Sequence, residues 1–488
     1  MLNKLKSTAK HTFIYSLGNF STKVVGLVLL PLYTAKLTLL DYGKFTILET
    51  TAMFMAMIFG LRIVSSMMRW SAETEDKTER KSILFNSYFM LFFVAILLNV
   101  LLNPFREIFS NLLFGTTDYV NYFTVIFMTV GFEIINQVSM NLFRFREQSA
   151  IYTIFFVSKL SVVLLLNIFF LVKMDIGVIG IFYSQLIANI LQFIFSLPIL
   201  LKNFNYHFNF KFIKQMLGYG VPLIFSAISV QLLAIGDKYI IRYLLGYEAV
   251  GIYSLGGKIS GVLNVLVVQS FQLAFVPIAF KMFKQPDAKE FFKKVFKYFA
   301  VILLFGAFTL SIFSREILEI FAQKQEYVIA YKIVPLITLA FVFKGLQNMF
   351  ALAFYFKKKT KQIAVIVSVA VLINFGLNYF FIKILQTGIS GAAFSTVLST
   401  LFIMIILYFA SRKIYLINYE IGKIFIALLV AFILFLIQFF VNFNAIFLQI
   451  VFKLSLCLLF PILLYLFGFF EKTELAKIRG IISKIGVK

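Results

Sequence analysis

Residues 177–201, GVIGIFYSQLIANILQFIFSLPILL, contain no charged side chain. A helix of about 20 mostly apolar residues crosses a bilayer core of about 30 Å. Thirteen further runs of this kind occur. The full set is roughly 11–33, 44–64, 82–103, 119–142, 150–172, 177–201, 217–236, 250–277, 297–314, 327–350, 361–383, 388–411, 421–441 and 446–469. The runs are long and continuous, whereas the strands of a membrane barrel would be about 10 residues long and alternating. The expected fold is therefore all-α: a polytopic membrane protein of about fourteen transmembrane helices.

Composition agrees. Of the 488 residues, 61% are hydrophobic and 14% charged, against about 45–50% and about 25% in soluble chains. The net charge of +25 would suggest nucleic acid on a soluble protein. Here it follows from topology. The N-terminus, every second connection after it and the C-terminal tail hold 30 of the 46 Lys and Arg, and the opposite connections hold 9. The excess places both termini in the cytoplasm, and no nucleic-acid partner is expected. The first apolar run lacks a small-residue cleavage pattern and reads as a retained helix. One cysteine, Cys457, excludes an internal disulfide framework. With only His11 and His207, no transition-metal site is expected. No connection is long enough for a soluble catalytic domain.

The chain repeats itself. FEIINQVSMNLFRFREQS from Phe132 matches FKGLQNMFALAFYFKKKT from Phe343. IGVIGIFYS from Ile176 matches TGISGAAFS from Thr387, and NIFFLV from Asn167 matches NYFFIK from Asn378. These matches share one offset, and Gly43 pairs with Gly251 at nearly the same spacing. Two homologous six-helix bundles follow, 1–210 and 211–415, with helices 13 and 14 and a basic cytoplasmic tail in 416–488. Six is even, so the bundles are parallel repeats, whose substrate sites lie near the midplane.

Seven basic residues fall within the spans: Lys23, Arg62, Lys159, Lys258, Lys332, Lys344 and Lys453. The acids there are Glu49 and Glu133. A charge at mid-bilayer costs about 2.5–3.5 kcal/mol on insertion scales, so each must meet a wet cavity, a partner or the interface. Arg62, Lys332 and Lys453 are near span ends, where snorkelling accounts for them. Lys23, Lys159, Lys344 and Glu133 are deeper and read as cavity-facing, with Lys258 and Glu49 intermediate. Glu133 and Lys344 occupy matched positions. A pair between them in one conformation is one reading, and separate solvation in a cavity is the other. A cavity with surplus lysine selects an anion, and among membrane solutes it fits an amphiphile with an anionic head. Pro31, Pro222, Pro277 and Pro335 lie in or beside spans and mark places for kinks.

At LGYGVPL (217–223) and GDKYIIRYLLGYEAVGIYSLGGKIS (236–260), and again at YKIVPLITLAFVFKGLQNMF with KKKTK after it, the sequence resembles the bacterial polysaccharide-biosynthesis flippases of the O-antigen type. These belong to the multidrug/oligosaccharidyl-lipid/polysaccharide exporter superfamily. The resemblance implies movement of an undecaprenyl-diphosphate-linked oligosaccharide from the cytoplasmic to the outer leaflet of the bacterial inner membrane. Alternating access between two six-helix lobes would drive it through a cationic cavity, with no cofactor. It carries the roles of cavity lysines to Lys23 and Lys258 and singles out Asp237. The cavity set is then Lys23, Lys159, Lys258, Lys344 and Arg62, with Glu49, Glu133 and Asp237 as coupling or gating groups. A polysaccharide polymerase and a chain-length regulator are the protein partners such a role implies. Lipid II flippase and cation-coupled drug exporter are rivals of the same fold, the latter disfavoured by the shortage of cavity acids. A membrane-embedded polymerase is disfavoured because no paired carboxylates or histidines lie near the outer face.

Overall fold

The computed structural model describes residues 26–441, 443 and 445–470. Among them there are helices and no strand. In chain order these are α1 (Gly26–Lys36), α2 (Leu39–Phe59), α3 (Ile63–Glu73), α4 (Lys77–Leu102), α5 (Arg106–Phe114), α6 (Val120–Phe145), α7 (Ser149–Ile168), α8 (Val178–Leu201), α9 (Phe210–Ile235) and α10 (Asp237–Leu245). There follow α11 (Tyr247–Leu263), α12 (Ser270–Met282), α13 (Ala288–Ile312), α14 (Ser314–Phe321), α15 (Val334–Phe356), α16 (Thr360–Tyr379), α17 (Gly388–Ile414), α18 (Ile421–Ile437) and α19 (Ile446–Leu466). Eleven helical segments are long and apolar enough to cross a membrane, or twelve if the bent pair α2–α3 is one span. The described part of α1, and α18, are shorter apolar helices.

Local chemistry sets the helix ends. Thr38 and Asp76 cap α2 and α4 through their side-chain oxygens, and Asn209 caps α9. Pro335 sits in the first turn of α15, where its missing N–H costs nothing, so it starts the helix rather than kinking it. Pro222 and Pro277 do lie inside helices. Helix α13 begins nine residues before the expected span. Glu290 reaches Lys293 and Lys294 at 3.8 Å, so charged residues expected in a loop extend the helix instead. Lys297, expected in that loop, is 1% exposed on α13. The short helices α5, α10 and α14 occupy connections that the sequence left as loops.

The backbone carries the duplication more plainly than the side chains do. A turn of π-helix ends α7 at Phe169–Lys173, and another ends α16 at Phe380–Ile384. Left-handed residues recur in step: Glu147 with Lys358, Asp175 with Gln386, Gly177 with Gly388. Each pair keeps the offset of the sequence matches. The counterpart spans α2–α3 and α11–α12 are both irregular at corresponding depth. The first breaks at Leu61 and Arg62, both left-handed, and the second passes through a π-helix at Asn264–Gln269.

The chain packs as two compact units. One holds the chain up to Leu255 with Phe321–Tyr327 and Val367–Ala392. The other holds Gly256–Ile320, Val328–Ile366 and the chain from Ala393 on. In the first, α6 is the central helix, packed on α4 and α8, while α9 lies along α2, α3 and α4. In the second, α13 packs on α15, and α18 and α19 pack on α13.

Candidate functional site

Helix α7 carries one charge in its interior, Lys159, ten residues and so about 15 Å of helix from Ser149. Its ammonium donates to Asn189 Oδ1 of α8 at 2.8 Å. Asn136 Nδ2 of α6 donates to the backbone oxygen of Asn189 at 2.9 Å. Glu133 stands one turn before Asn136 on α6, and its charge acts on Lys159. Gln192 follows Asn189 by one turn on α8. The side-chain oxygens of Asn136 and Gln192 are buried without a hydrogen bond among the described residues. Three apolar helices thus converge on an ammonium, a carboxylate and three carboxamides. This is a set of donors and acceptors suited to an oxyanion or to hydroxyls. It holds no nucleophile–base pair, and no group of three His, Cys, Asp or Glu among the described residues could hold a metal.

The sequence singled out Lys159 and Glu133 by charge alone. It missed Asn136, Asn189 and Gln192, although carboxamides inside apolar runs are themselves a signal, because each is costly in lipid without a partner. Of the other expected groups, Lys23 lies outside the described residues. Glu49 is half-buried on α2, with no ion pair among the described residues. Arg62 is exposed at the break in the second span, where its own left-handed backbone starts α3. Lys258 is half-buried on α11, and Lys344 is half-buried on α15 with its ammonium 5.8 Å from the Phe341 ring centroid.

Asp237 is 1% exposed. Tyr253 OH donates to its Oδ2 at 2.8 Å and Asn378 Nδ2 to its Oδ1 at 2.9 Å. The start of α10 is thereby tied to α11 and α16. Lys453 does not snorkel as expected. It is buried in an ion pair with Glu316 of α14, which no reading of the spans alone would find because Glu316 lies in a connection.

The end of the first unit opposite the basic loops is tightly closed. Lys324 Nζ and Tyr327 OH both donate to the Leu37 carbonyl, at 2.8 and 3.2 Å. The Tyr42 and Tyr327 rings meet edge to face at 5.8 Å. Gly43 of α2 and Gly251 of α11 cross so closely that a Cβ on Gly43 would fall 1.8 Å from the Tyr247 carbonyl oxygen. Arg242 and Tyr247 both donate to the Leu113 carbonyl.

A duplicated bundle of long apolar helices, with ionisable groups held at mid-span, has the make-up of a multi-pass membrane transporter. The chain belongs to the family described as Polysaccharide biosynthesis protein, which matches residues 8–283. The MatE family matches residues 222–380. No curated protein matches the chain in sequence. Among solved structures, "Lipid II flippase MurJ, inward closed conformation" superposes with a TM-score of 0.76 at 17% identity, covering 93% of this chain and 99% of that one. An inward-facing multidrug resistance MATE family transporter of the MOP superfamily gives 0.66 at 14%, covering 82% and 97%. A MOP superfamily transporter from Pyrococcus furiosus, described by a reverse polarity of its binding pocket, gives 0.64 at 14%, covering 84% and 95%. These are likenesses of fold. With the two family matches they put the chain among the flippases and transporters of the multidrug/oligosaccharidyl-lipid/polysaccharide exporter superfamily.

Proposed function

We propose that the protein flips an undecaprenyl-diphosphate-linked oligosaccharide, an O-antigen or other surface polysaccharide unit, from the cytoplasmic to the outer leaflet of a bacterial inner membrane. Both termini are then cytoplasmic. The repeat halves 1–210 and 211–415 act as the two lobes of alternating access, with 416–488 as an addition to the second. The observation that carries this reading is the ammonium of Lys159, held by Asn189 at mid-helix in a chain of the polysaccharide-biosynthesis family. A charge kept at such cost in an otherwise apolar helix, with unsatisfied carboxamide oxygens beside it, suits an anionic or strongly polar cargo. Lys23, Lys258, Lys344 and Arg62 complete the cationic set, and Glu49, Glu133 and Asp237 are the groups available for coupling or gating. A polymerase and a chain-length regulator are the partners that would take up the product.

The experiment is reconstitution of the full chain in vesicles with labelled undecaprenyl-diphosphate glycans, scoring leaflet access under defined ion gradients. Lys159→Ala, and Lys23→Ala with Lys258→Ala, should reduce transport while the amount of folded protein holds. Unchanged transport in both would overturn the cationic-cavity reading. Transport of lipid II in preference to oligosaccharide would favour the second reading, a lipid II flippase, which the likeness over nearly the full length of such a protein supports.

A further inference from the structure

At the basic end of the first unit a pocket of about 260 Å3 opens between α3, α4 and α6. It is lined by Lys77, Arg80, Lys81 and Arg146 and walled by the buried side chains of Met67, Leu84 and Leu142, with Phe145 beside them. We propose that this pocket binds the phosphate of a lipid headgroup, its four cations meeting the phosphate and its apolar wall meeting the first carbons of the lipid. It stands independently of what the mid-membrane site carries.

The four cations form no ion pair among the described residues. The acids of the same loop are turned to other work. Glu73 pairs with Arg69, Glu79 accepts from Thr74, and Asp76 caps α4. Glu75 and Glu147 are exposed, and neither lies within ion-pair distance of the pocket's cations. Arg80 is aimed rather than loose. Its Nε donates to the carbonyls of Ser71 and Thr74 at 3.0 and 2.9 Å, and its guanidinium stacks over Phe145 at 5.6 Å. Both terminal amines are left without a hydrogen bond among the described residues, in the fork that suits phosphate. Lys77 and Arg146 stand exposed at the rim, and partial burial still lowers the pKa of Arg146, as expected for a cation without a counter-charge.

The repeat supplies an internal comparison. The residue matching Phe145 is Phe356. In the second unit its ring is enclosed by those of Phe283, Phe292 and Tyr415 at 4.6, 5.6 and 5.9 Å. Rings fill the volume there, whereas in the first unit cations rim a space. A pocket rimmed by cations beside Phe145, where rings enclose the matched Phe356, lies at the level where a basic end meets headgroups and is placed for a lipid phosphate.

The test uses the full chain in nanodiscs of zwitterionic phospholipid, with or without phosphatidylglycerol, and native mass spectrometry of the retained lipids. Lys81→Gln with Arg146→Gln should weaken retention of phosphatidylglycerol about thirtyfold, about 1 kcal/mol for each charge removed, and leave zwitterionic adducts unchanged. Lys81→Arg with Arg146→Lys should restore it. Lys357→Gln with Lys358→Gln, removing two charges at the matched place in the second half, should have no effect. An equal loss in that control would show general attraction to a basic face and overturn the site. Adding undecaprenyl phosphate or inorganic phosphate separates the sources. Displacement by the former at like concentration supports a lipid-phosphate site that the carrier shares. Displacement by inorganic phosphate just as readily would remove the lipid from the proposal.

Discussion

Replacing Gly43 by alanine puts one methyl group where the fold leaves no room. The new Cβ would lie 1.8 Å from the Tyr247 carbonyl oxygen and 2.6 Å from its carbonyl carbon. An ordinary contact begins near 3.4 Å, so α2 and α11 must part by roughly 1.6 Å at their crossing. The obstacle is backbone, so no rotamer change relieves it. A gap of about 0.5–1 Å already forfeits a quarter to a half of a dispersion contact. Separation by more than that strips the crossing of most of its packing, which in lipid is the main force between helices. The cost should fall at or above the upper part of the usual overpacking range, about 3 kcal/mol.

Two further glycines calibrate the measurement. At Gly251 a Cβ would meet the Leu39 carbonyl oxygen at 2.7 Å, a milder clash. At Gly261, on the same helix, it would meet nothing within 4 Å, and alanine there should gain up to about 1 kcal/mol from helix propensity. Unfolding of the purified chain in mixed micelles, followed by helicity against added denaturing detergent, reads the three. The expected order of destabilisation is Gly43→Ala, then Gly251→Ala, with Gly261→Ala at or above the wild-type midpoint. A Gly43→Ala chain as stable as Gly261→Ala would refute the close crossing and the reasoning built on it.

Removing one member of the buried Glu316–Lys453 pair, as in Lys453→Met, should cost about 3–5 kcal/mol, while Lys453→Met with Glu316→Leu should recover most of it; a double-mutant cycle in the same unfolding assay checks this. Tyr327→Phe with Lys324→Met removes both donors to the Leu37 carbonyl. At about 0.5–1.5 kcal/mol for each hydrogen bond, it should raise the reactivity of a cysteine placed at Leu37 toward a water-soluble reagent about tenfold. Asn189→Ala should reduce transport as Lys159→Ala does, with normal yield of folded protein, if the carboxamide positions the ammonium. Burial pushes the Glu420 pKa up, but hydrogen bonds from Lys423 and Lys293 outweigh it and hold the carboxyl below its ordinary value. Its contribution to stability is therefore present above about pH 4.3 and lost as pH falls through the depressed value. Wild type and Glu420→Gln should differ in melting temperature at neutral pH and converge as pH falls through the depressed value.

What the sequence disclosed and withheld divides along physical lines. Apolar length fixes spans because the bilayer demands it, so α6, α7, α8 and α17 fall within a few residues of expectation. Helix starts such as Ala288 were harder to read. There Glu290 with Lys293 and Lys294 makes a charged stretch helical, and charge count alone resembles a loop. Lys159 stood out because an ammonium deep in an apolar run must find a partner, a cavity or water. Its holders Asn189 and Asn136 were not, since a carboxamide can satisfy itself on its own helix, as Asn167 does on Val163. The partner of Lys453 was invisible because pairing between α14 and α19 is a tertiary fact.

The duplicated halves have kept their backbone and changed their charges. The π-turns before Asp175 and Gln386, and the left-handed residues at Glu147 and Lys358, persist at matched positions. They set where each helix stops and how the next one leaves, and a change there would misdirect a whole span. Side chains at the same register are free of that constraint. Glu133 answers to Lys344, and Lys159 answers to Ala370, which is fully buried. The ammonium–carboxamide cluster on α6, α7 and α8 therefore has no copy in the second half. On the proposed flippase role, matched helix ends with an unsymmetric set of charges suit one-way handling of a headed lipid. In that role both halves would bend alike, while only one would present the cluster around Lys159 to the head. Moving the lysine to the other half, as Lys159→Ala with Ala370→Lys, should therefore fail to restore transport even where the protein folds. Restoration would show that the lining's side does not matter and that total charge alone suffices.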